Sequence, residues 1–162
     1  MGILSWLFRT RPRQLVSGRF GTDRHQPFGQ WVQATHLVQV AGINHRRTNV
    51  LAFFDAVQAA ERSNGHYGIK FRPDPNNAHD RYAIAVDGVV GNRRWHIGYL
   101  DRQTAKAVHD DLLSNGIPIA GEIYNLWASG DDYLEVKIFV LAPPGNRVKG
   151  RLKRASREEK TG

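Results

Sequence analysis

Residues 71–86 read FRPDPNNAHDRYAIAV. The two prolines and two asparagines of residues 72–77 predict a loop. Residues 67–71 before it predict a strand. Residues 81–87 after it predict a second strand, because apolar and polar side chains alternate there. The apolar positions that would share one face are Tyr82, Ile84 and Val86. This stretch is therefore expected to form a loop held between two strands.

The rest of the sequence adds further strands and two helices. In chain order, we predict a strand at 37–43, a helix from the cap Thr48 to Arg62 with Gly65 beyond its end, a strand at 94–100, a helix that begins at the cap Asp101 and ends at Asn115-Gly116, and strands at 117–127 and 133–141. Few strands are separated by helices. The fold class expected is mostly β with two helices (α+β), as a small curled antiparallel sheet or an OB-like β-barrel.

The basic charge of the chain is concentrated at its two ends. Residues 1–30 carry five arginines against Asp23, and residues 144–162 carry seven Lys and Arg against two Glu. Residues 31–143 are nearly neutral. We therefore divide the chain into a basic, largely irregular arm (1–33), a folded domain (34–143) and a basic disordered tail (144–162). Basic segments beside a neutral domain suit a polyanion, although tails of this kind also serve solubility alone.

Composition excludes several classes of function. The 162 residues include no cysteine, which excludes disulfides and thiolate zinc sites and fits a reducing compartment. No apolar run is long enough to span a membrane. The apolar patch at residues 3–8 precedes its arginines, the reverse of a secretory signal, so we expect a cytoplasmic protein that is not secreted.

The sequence from His36 to Leu141 resembles the HIRAN domain family. The resemblance lies in the order Pro75-x-Asn77-x-x-Asp80-x-x-Ala83-Ile84-x-Val86, followed by Gly98-Tyr99-Leu100 and then Ala105. Val40-Ala41-Gly42 looks like the opening strand of that family. The resemblance implies a barrel related to oligonucleotide-binding folds, which in fork-remodelling helicases binds the 3′ end of single-stranded DNA.

The resemblance also implies roles for individual residues. Asp80 would accept a hydrogen bond from the terminal 3′ hydroxyl, His79 would stack on a base, and Arg102 would contact a phosphate. The position of Arg102 in the first turn of a helix independently favours an anion, and the alternative is a solvated surface arginine. For Asp80 and Asn77 the alternative is a scaffold role, in which their side chains hold the loop through bonds to its backbone.

The sequence departs from the family pattern at one wall of this pocket. Val38 and Gln39 stand where the helicase members have an Arg-Tyr pair. Tyr99 is a candidate to supply an aromatic surface instead, and Trp95 is a second one. Phe54, Tyr82 and Phe139 are expected in the core. Arg46 and Arg47, ahead of the first helix, are further candidates for phosphate contacts or else solvated surface arginines.

We therefore expect a nucleic-acid-binding module without catalytic activity or cofactor. Its preferred ligand would be single-stranded DNA or a 3′ end, in repair, replication or a mobile element. One alternative is an adaptor that docks a protein partner through residues 3–8. The other is a metal-dependent nuclease built on Glu135, Lys137 and the preceding Asp131-Asp132. No histidine pair has metal-ligand spacing, so we expect no zinc or other metal site. The oligomeric state is left open.

Overall fold

Two antiparallel sheets and two α-helices make up the computed structural model, which describes residues 17–21 and 27–149. The strands are β1 (Gly18–Arg19), β2 (Val32–Gln33), β3 (Val38–Gln39), β4 (Tyr67–Pro73), β5 (Ile84–Val90), β6 (Arg93–Tyr99), β7 (Ala120–Ala128) and β8 (Leu134–Ala142). The helices are α1 (Arg47–Arg62) and α2 (Arg102–Asp111), with short 3-10 turns at Ile43–Arg46 and Leu113–Asn115. The prediction of a mostly β fold with two helices is confirmed.

The strands are divided between two sheets and do not close into one barrel. One sheet has the order β1-β7-β8-β2, and β3 also pairs with β8. The other has the order β4-β5-β6. A single antiparallel bridge between Ala41 and Tyr99 links the segment after β3 to β6. In the described residues, the curled antiparallel arrangement is therefore present as two sheets, and the closed OB-like barrel is not.

Helix α1 packs against the β4-β5-β6 sheet through fully buried side chains, among them Phe53 and Phe54. A Cβ atom on Gly88 of β5 would lie only 2.6 Å from the Phe53 ring, so this close approach requires glycine. Gly121 of β7 has the same function between the sheets, since its Cβ would lie 2.5 Å from Ile69. Both glycines let apolar surfaces meet without a cavity.

Helix α1 differs at both ends from its sequence prediction. Thr48 does not cap it, because the 3-10 turn at Ile43–Arg46 leads directly into the helix and Arg46 occupies the cap position. Gly65 does not take the left-handed conformation at the other end. Asn64 does, with φ of 51°. The strand predicted at 37–43 is likewise reduced to Val38–Gln39 by that turn.

Strand β5 begins later than predicted and is buried on both faces. Residues 84–88 are all buried, so the alternation of apolar and polar residues does not mark a solvent face there. Tyr82 precedes the strand and is only half-buried, and Phe139 lies half-buried against Tyr124. The core assignment of these two aromatics is wrong, whereas that of Phe54 is confirmed.

The folded region extends into both predicted flanks. Strand β1 pairs with β7, and the adjacent Phe20 is buried against α1. On the other side, Val148 packs against the core and its N–H donates to the carbonyl of Ala34 at 2.9 Å. The apolar patch predicted at residues 3–8 lies outside the described residues. Neither helix of the described part has the length and apolar character needed to cross a membrane.

Candidate nucleic-acid interface

The loop between β4 and β5 is held by its own side chains. Asn77 Oδ1 accepts the backbone N–H groups of His79 and Asp80, at 3.0 and 3.1 Å. Asp80 Oδ1 in turn accepts the N–H of Tyr82 at 2.9 Å. This is the local bonding that asparagine and aspartate favour in turns. It fixes the half-buried Asp80 carboxylate at the end of the loop, and the exposed His79 beside it.

Helix α2 begins beside this loop. Its cap is Asp101, as predicted: Oδ1 accepts the N–H of Thr104 at 2.9 Å, and Oδ2 accepts its hydroxyl at 2.6 Å. Arg102 is the first helical residue, and its Nη2 atom lies 3.5 Å from the carbonyl oxygen of His79. The structure therefore brings four of the predicted residues together, namely Asn77, His79, Asp80 and Arg102.

Tyr99 lies immediately before α2, at the end of β6. A bulge at Ile97 changes the register of β6 on β5, so that His96 pairs with Asp87 and Tyr99 with Ala85. As a result His96 and Tyr99 project from the same face, with ring centroids 4.8 Å apart. For the same reason Trp95 lies on the opposite face of β6 from Tyr99. Trp95 instead packs 6.1 Å from the buried ring of Phe53.

Arg46 covers the ring of Tyr99. Its guanidinium carbon lies 5.5 Å from the ring centroid, a cation–π distance. Nearby, His96 Nε2 lies 3.0 Å from the carbonyl oxygen of Gly98. Burial, followed by the charge of Arg46, lowers the pKa of His96 below its usual 6.5. The imidazole is therefore neutral at pH 7, and its Nε2–H donates to Gly98.

The family model that matches this chain is that of the HIRAN domain, over residues 37–141. The chain belongs to the HIRAN family. Among solved structures it is similar to the HIRAN domain of human HLTF, at 20% identity and a TM-score of 0.49. That similarity covers 78% of this chain and 93% of the HLTF domain. A search of curated proteins finds no match. HIRAN domains are DNA-binding modules, so membership of the family supports a nucleic acid as the ligand.

Arg47 and the pair Val38-Gln39 lie away from the loop and the start of α2. Arg47 does not join the loop and α2, because its guanidinium bonds to the carbonyl and the carboxylate of Asp132, at 2.7 and 3.2 Å. Val38, at the departure from the family pattern, is buried in β3. Its neighbour Gln39 lines an open cleft of about 440 Å³ that Tyr133 also borders.

Sequence reasoning missed three charged residues on the face of the β4-β5-β6 sheet that carries Tyr99. Asp87 of β5 is buried and accepts two hydrogen bonds from Arg72 of β4, at 3.1 and 3.2 Å. Arg94 of β6 lies 3.8 Å from the same carboxylate. The hydrogen bond to Asp87 raises the pKa of Arg72. The available signal was a charged residue in the middle of a β-branched strand, since an aspartate there must find a partner.

Glu135, named in the nuclease alternative, is bonded to neighbouring side chains. Glu135 accepts the amide of Asn125 and the hydroxyl of Tyr133, at 2.8 and 3.0 Å, and lies 3.4 Å from Lys137. These bonds occupy its carboxylate on an antiparallel sheet. Within residues 17–21 and 27–149, no three His, Asp or Glu side chains form a group that could hold a metal ion.

Proposed function

We propose that this HIRAN domain binds the 3′ end of single-stranded DNA between the β4–β5 loop and the start of α2. The observation that carries the proposal is the approach of Arg102 to the carbonyl of His79. It sets a cation at a helix N-terminus next to a loop that ends in the Asp80 carboxylate. A carboxylate beside a guanidinium suits the end of a nucleic-acid strand, because the terminal sugar hydroxyl and the last phosphate are neighbours there.

The two charges favour different groups of the ligand. A carboxylate accepts a hydrogen bond from a sugar hydroxyl and repels a phosphate, so Asp80 selects a terminus without a 3′ phosphate. One oxygen of Asp80 accepts the N–H of Tyr82, which leaves Oδ2 to face the ligand. Arg102 and the free amides of the first turn of α2 attract the last phosphate of the strand.

In this proposal, the rings of Tyr99 and His79 stack on the bases of the strand. His79 is exposed, and its backbone is fixed by Asn77. Tyr99 is covered by Arg46, so a base stacks on it only when the guanidinium moves aside. Arg46 then becomes available to a phosphate. In this proposal the arginine and the ring take the place of the aromatic wall that Val38 and Gln39 do not provide.

The role proposed is binding without catalysis, in a cytoplasmic protein that acts in DNA repair, replication or a mobile element. The test is fluorescence anisotropy with one oligothymidylate carrying either a free 3′ hydroxyl or a 3′ phosphate. We expect the phosphate to weaken binding about tenfold, because it meets the Asp80 carboxylate. An equal affinity for both oligonucleotides contradicts recognition of the end.

The variant that isolates Asp80 is Asp80→Asn. The amide keeps an oxygen that can accept the N–H of Tyr82, so the loop is retained while the charge is removed. We expect the preference for the free hydroxyl to fall to nearly one. Asp110→Asn removes the same charge from the exposed far end of α2 and is expected to leave the preference unchanged. If Asp80→Asn also leaves it unchanged, Asp80 serves only as scaffold.

A second pair of variants examines the phosphate contact. Arg102→Gln is expected to weaken binding of the free-hydroxyl oligonucleotide and to reduce its dependence on salt. The control is Arg62→Gln, which removes the same charge at the exposed end of α1. Arg62 lies about 22 Å along that helix from Arg47. Identical affinities for these two variants and the unaltered protein exclude Arg102 from the interface.

A further inference from the structure

The outer face of the β4-β5-β6 sheet carries a row of cations that starts at the proposed DNA-end site. Register places Lys70 of β4 and His96 of β6 on either side of Asp87, and Arg72 and Tyr99 on either side of Ala85. These pairs share one face, because directly opposed residues point the same way. The members of this outer face used below are Lys70, Arg72, Asp87, Arg94, His96 and Tyr99.

The outer face is continuous with the proposed site. Arg72 is the penultimate residue of β4, directly before the loop that holds Asp80. The pKa of Arg72 is raised mainly by its hydrogen bond to Asp87, and to a smaller extent by Asp74 in that loop and by the Tyr99 hydroxyl. Arg94 pairs with Val89, four residues along β5 from Ala85, and is therefore about 13 Å from the row of Arg72 and Tyr99. The cations thus lead away from the site along the strands.

Asp87 organises these cations without presenting a negative surface. Its side chain is only 1% exposed, whereas the side chains of Arg72 and Arg94 are 46% and 51% exposed. The carboxylate bonds the Nε and Nη2 atoms of Arg72, which holds that guanidinium in place. It is the one carboxylate in strands β4 to β6, and on the outer face it stands against Lys70, Arg72 and Arg94. The exposed surface is therefore cationic, and Arg72 is held in place before any ligand binds.

We infer that this outer face binds the sugar–phosphate backbone of the nucleotides that precede the 3′ end. The inference rests on the proposed function, because the strand direction is set by the end held at Asp80 and Arg102. Beyond Tyr99 the face offers cations and no exposed aromatic ring, since Trp95 lies on the opposite face and packs on Phe53. Contacts there are consequently to phosphates and independent of sequence.

The experiment measures affinity as a function of oligonucleotide length. Oligothymidylates of about two to about ten nucleotides with a free 3′ hydroxyl are bound to the full chain and to Arg94→Gln. For the unaltered protein, we expect affinity to rise with length. For Arg94→Gln, we expect unchanged affinity for the shortest oligonucleotide, about fivefold weaker binding of the longest, and a salt slope smaller by about 0.7.

Lys70→Gln provides a second variant that leaves the Asp87 ion pairs intact. This variant is expected to reduce the increase of affinity with oligonucleotide length in the same way. Arg62→Gln, with equal loss of charge on α1, is expected to keep the full gain. The inference is overturned if Arg94→Gln and Lys70→Gln retain the length dependence and salt slope of the unaltered protein.

The two proposals fail separately. Loss of the length dependence in both variants supports the outer face, whatever the 3′ phosphate does. If the 3′ phosphate has no effect on the shortest oligonucleotide, the end site is wrong while the backbone path stands without a fixed direction. If affinity depends on the 3′ hydroxyl but not on Arg94 or Lys70, the proposal of the end site stands and the inference about the outer face is wrong.

Discussion

The ring of Phe20 stacks on the ring of Phe54 in α1, with centroids 5.1 Å apart and an interplanar angle of 26°. This contact fastens the segment that contains β1 to the core. Phe20 is 5% exposed, so its removal leaves a cavity against the helix. Residues 17–21 are therefore part of the folded domain, although composition places them in a basic arm.

We expect Phe20→Ala to lower the free energy of unfolding by about 3 kcal/mol, the usual cost of a buried phenylalanine. Chemical denaturation followed by tryptophan fluorescence measures it. The matched control is Phe28→Ala, because Phe28 is fully exposed and its loss is expected to change stability by less than about 0.5 kcal/mol. Equal effects of the two substitutions contradict a structural role for the segment.

Gly98 permits the bridge that positions Tyr99. A Cβ atom at Gly98 would lie 2.4 Å from the carbonyl oxygen of Ala41 and 2.6 Å from Val40 Cγ1. We expect Gly98→Ala to lower the free energy of unfolding by about 1–3 kcal/mol, because backbone must move to relieve the overlap. Gly68→Ala on β4 is the control, since its Cβ would meet no atom within 4 Å and stability should hold or rise slightly. Comparable losses of stability in the two variants would contradict steric overlap at Gly98 as the cause.

Whether a feature of this molecule could be predicted from the sequence depends on how far apart along the chain its interacting residues are. The cap of α2 could be predicted, because Asp101 bonds to Thr104 three residues away. The Asn77 turn is local in the same sense. The pairing of Arg47 with Asp132 joins residues 85 apart, and no local pattern contains it.

The bulge in β6 could not be predicted from the sequence pattern. It shifts the register by one residue, and a shift of one residue moves a side chain to the opposite face. Strict alternation along β6 would place Tyr99 on the face of Trp95, whereas the bulge places the two on opposite faces. The loop and α2 could be predicted from their motifs, whereas the outer face of arginines around Asp87 depends on register and could not.

His96 gives the protein a pH dependence of known sign. Its pKa is lowered in the folded state, so the unfolded chain binds this proton more tightly. The contribution of His96 to stability is fully present above pH 6.5 and falls as the pH drops from 6.5 towards the lowered folded pKa. We expect the stability difference between the unaltered protein and His96→Gln to be constant from about pH 8 to about pH 7 and to shrink below that range.

Two measurements check this expectation. Urea denaturation of both proteins across the pH range gives the difference in stability. An NMR titration of the imidazole gives the folded pKa directly. A value at or above 6.5 for His96 contradicts burial as the dominant influence on its pKa.

The basic tail can be separated from the folded domain only beyond Lys149. The N–H of Val148 donates to Ala34, and the N–H of Lys149 donates to the Asp111 carboxylate at 2.7 Å. A truncation at residue 144 would remove both bonds, whereas one after Lys149 retains them. Residues 150–162 still contain five Lys and Arg against two Glu, enough to attract a nucleic acid without any folded site.

We expect removal of residues 150–162 to weaken binding of free-hydroxyl and 3′-phosphate oligonucleotides by the same factor. The reason is that tail cations interact with phosphates along the whole strand, so they contribute affinity and no preference for an end. The salt slope should become shallower by about 0.7 for each phosphate that the tail no longer neutralises, with an unchanged melting temperature. Replacing the five cations of the tail by glutamine separates charge from chain length and should reproduce the truncation. A changed ratio between the two oligonucleotides would instead place the tail at the strand end, in contact with the group that Asp80 is proposed to recognise.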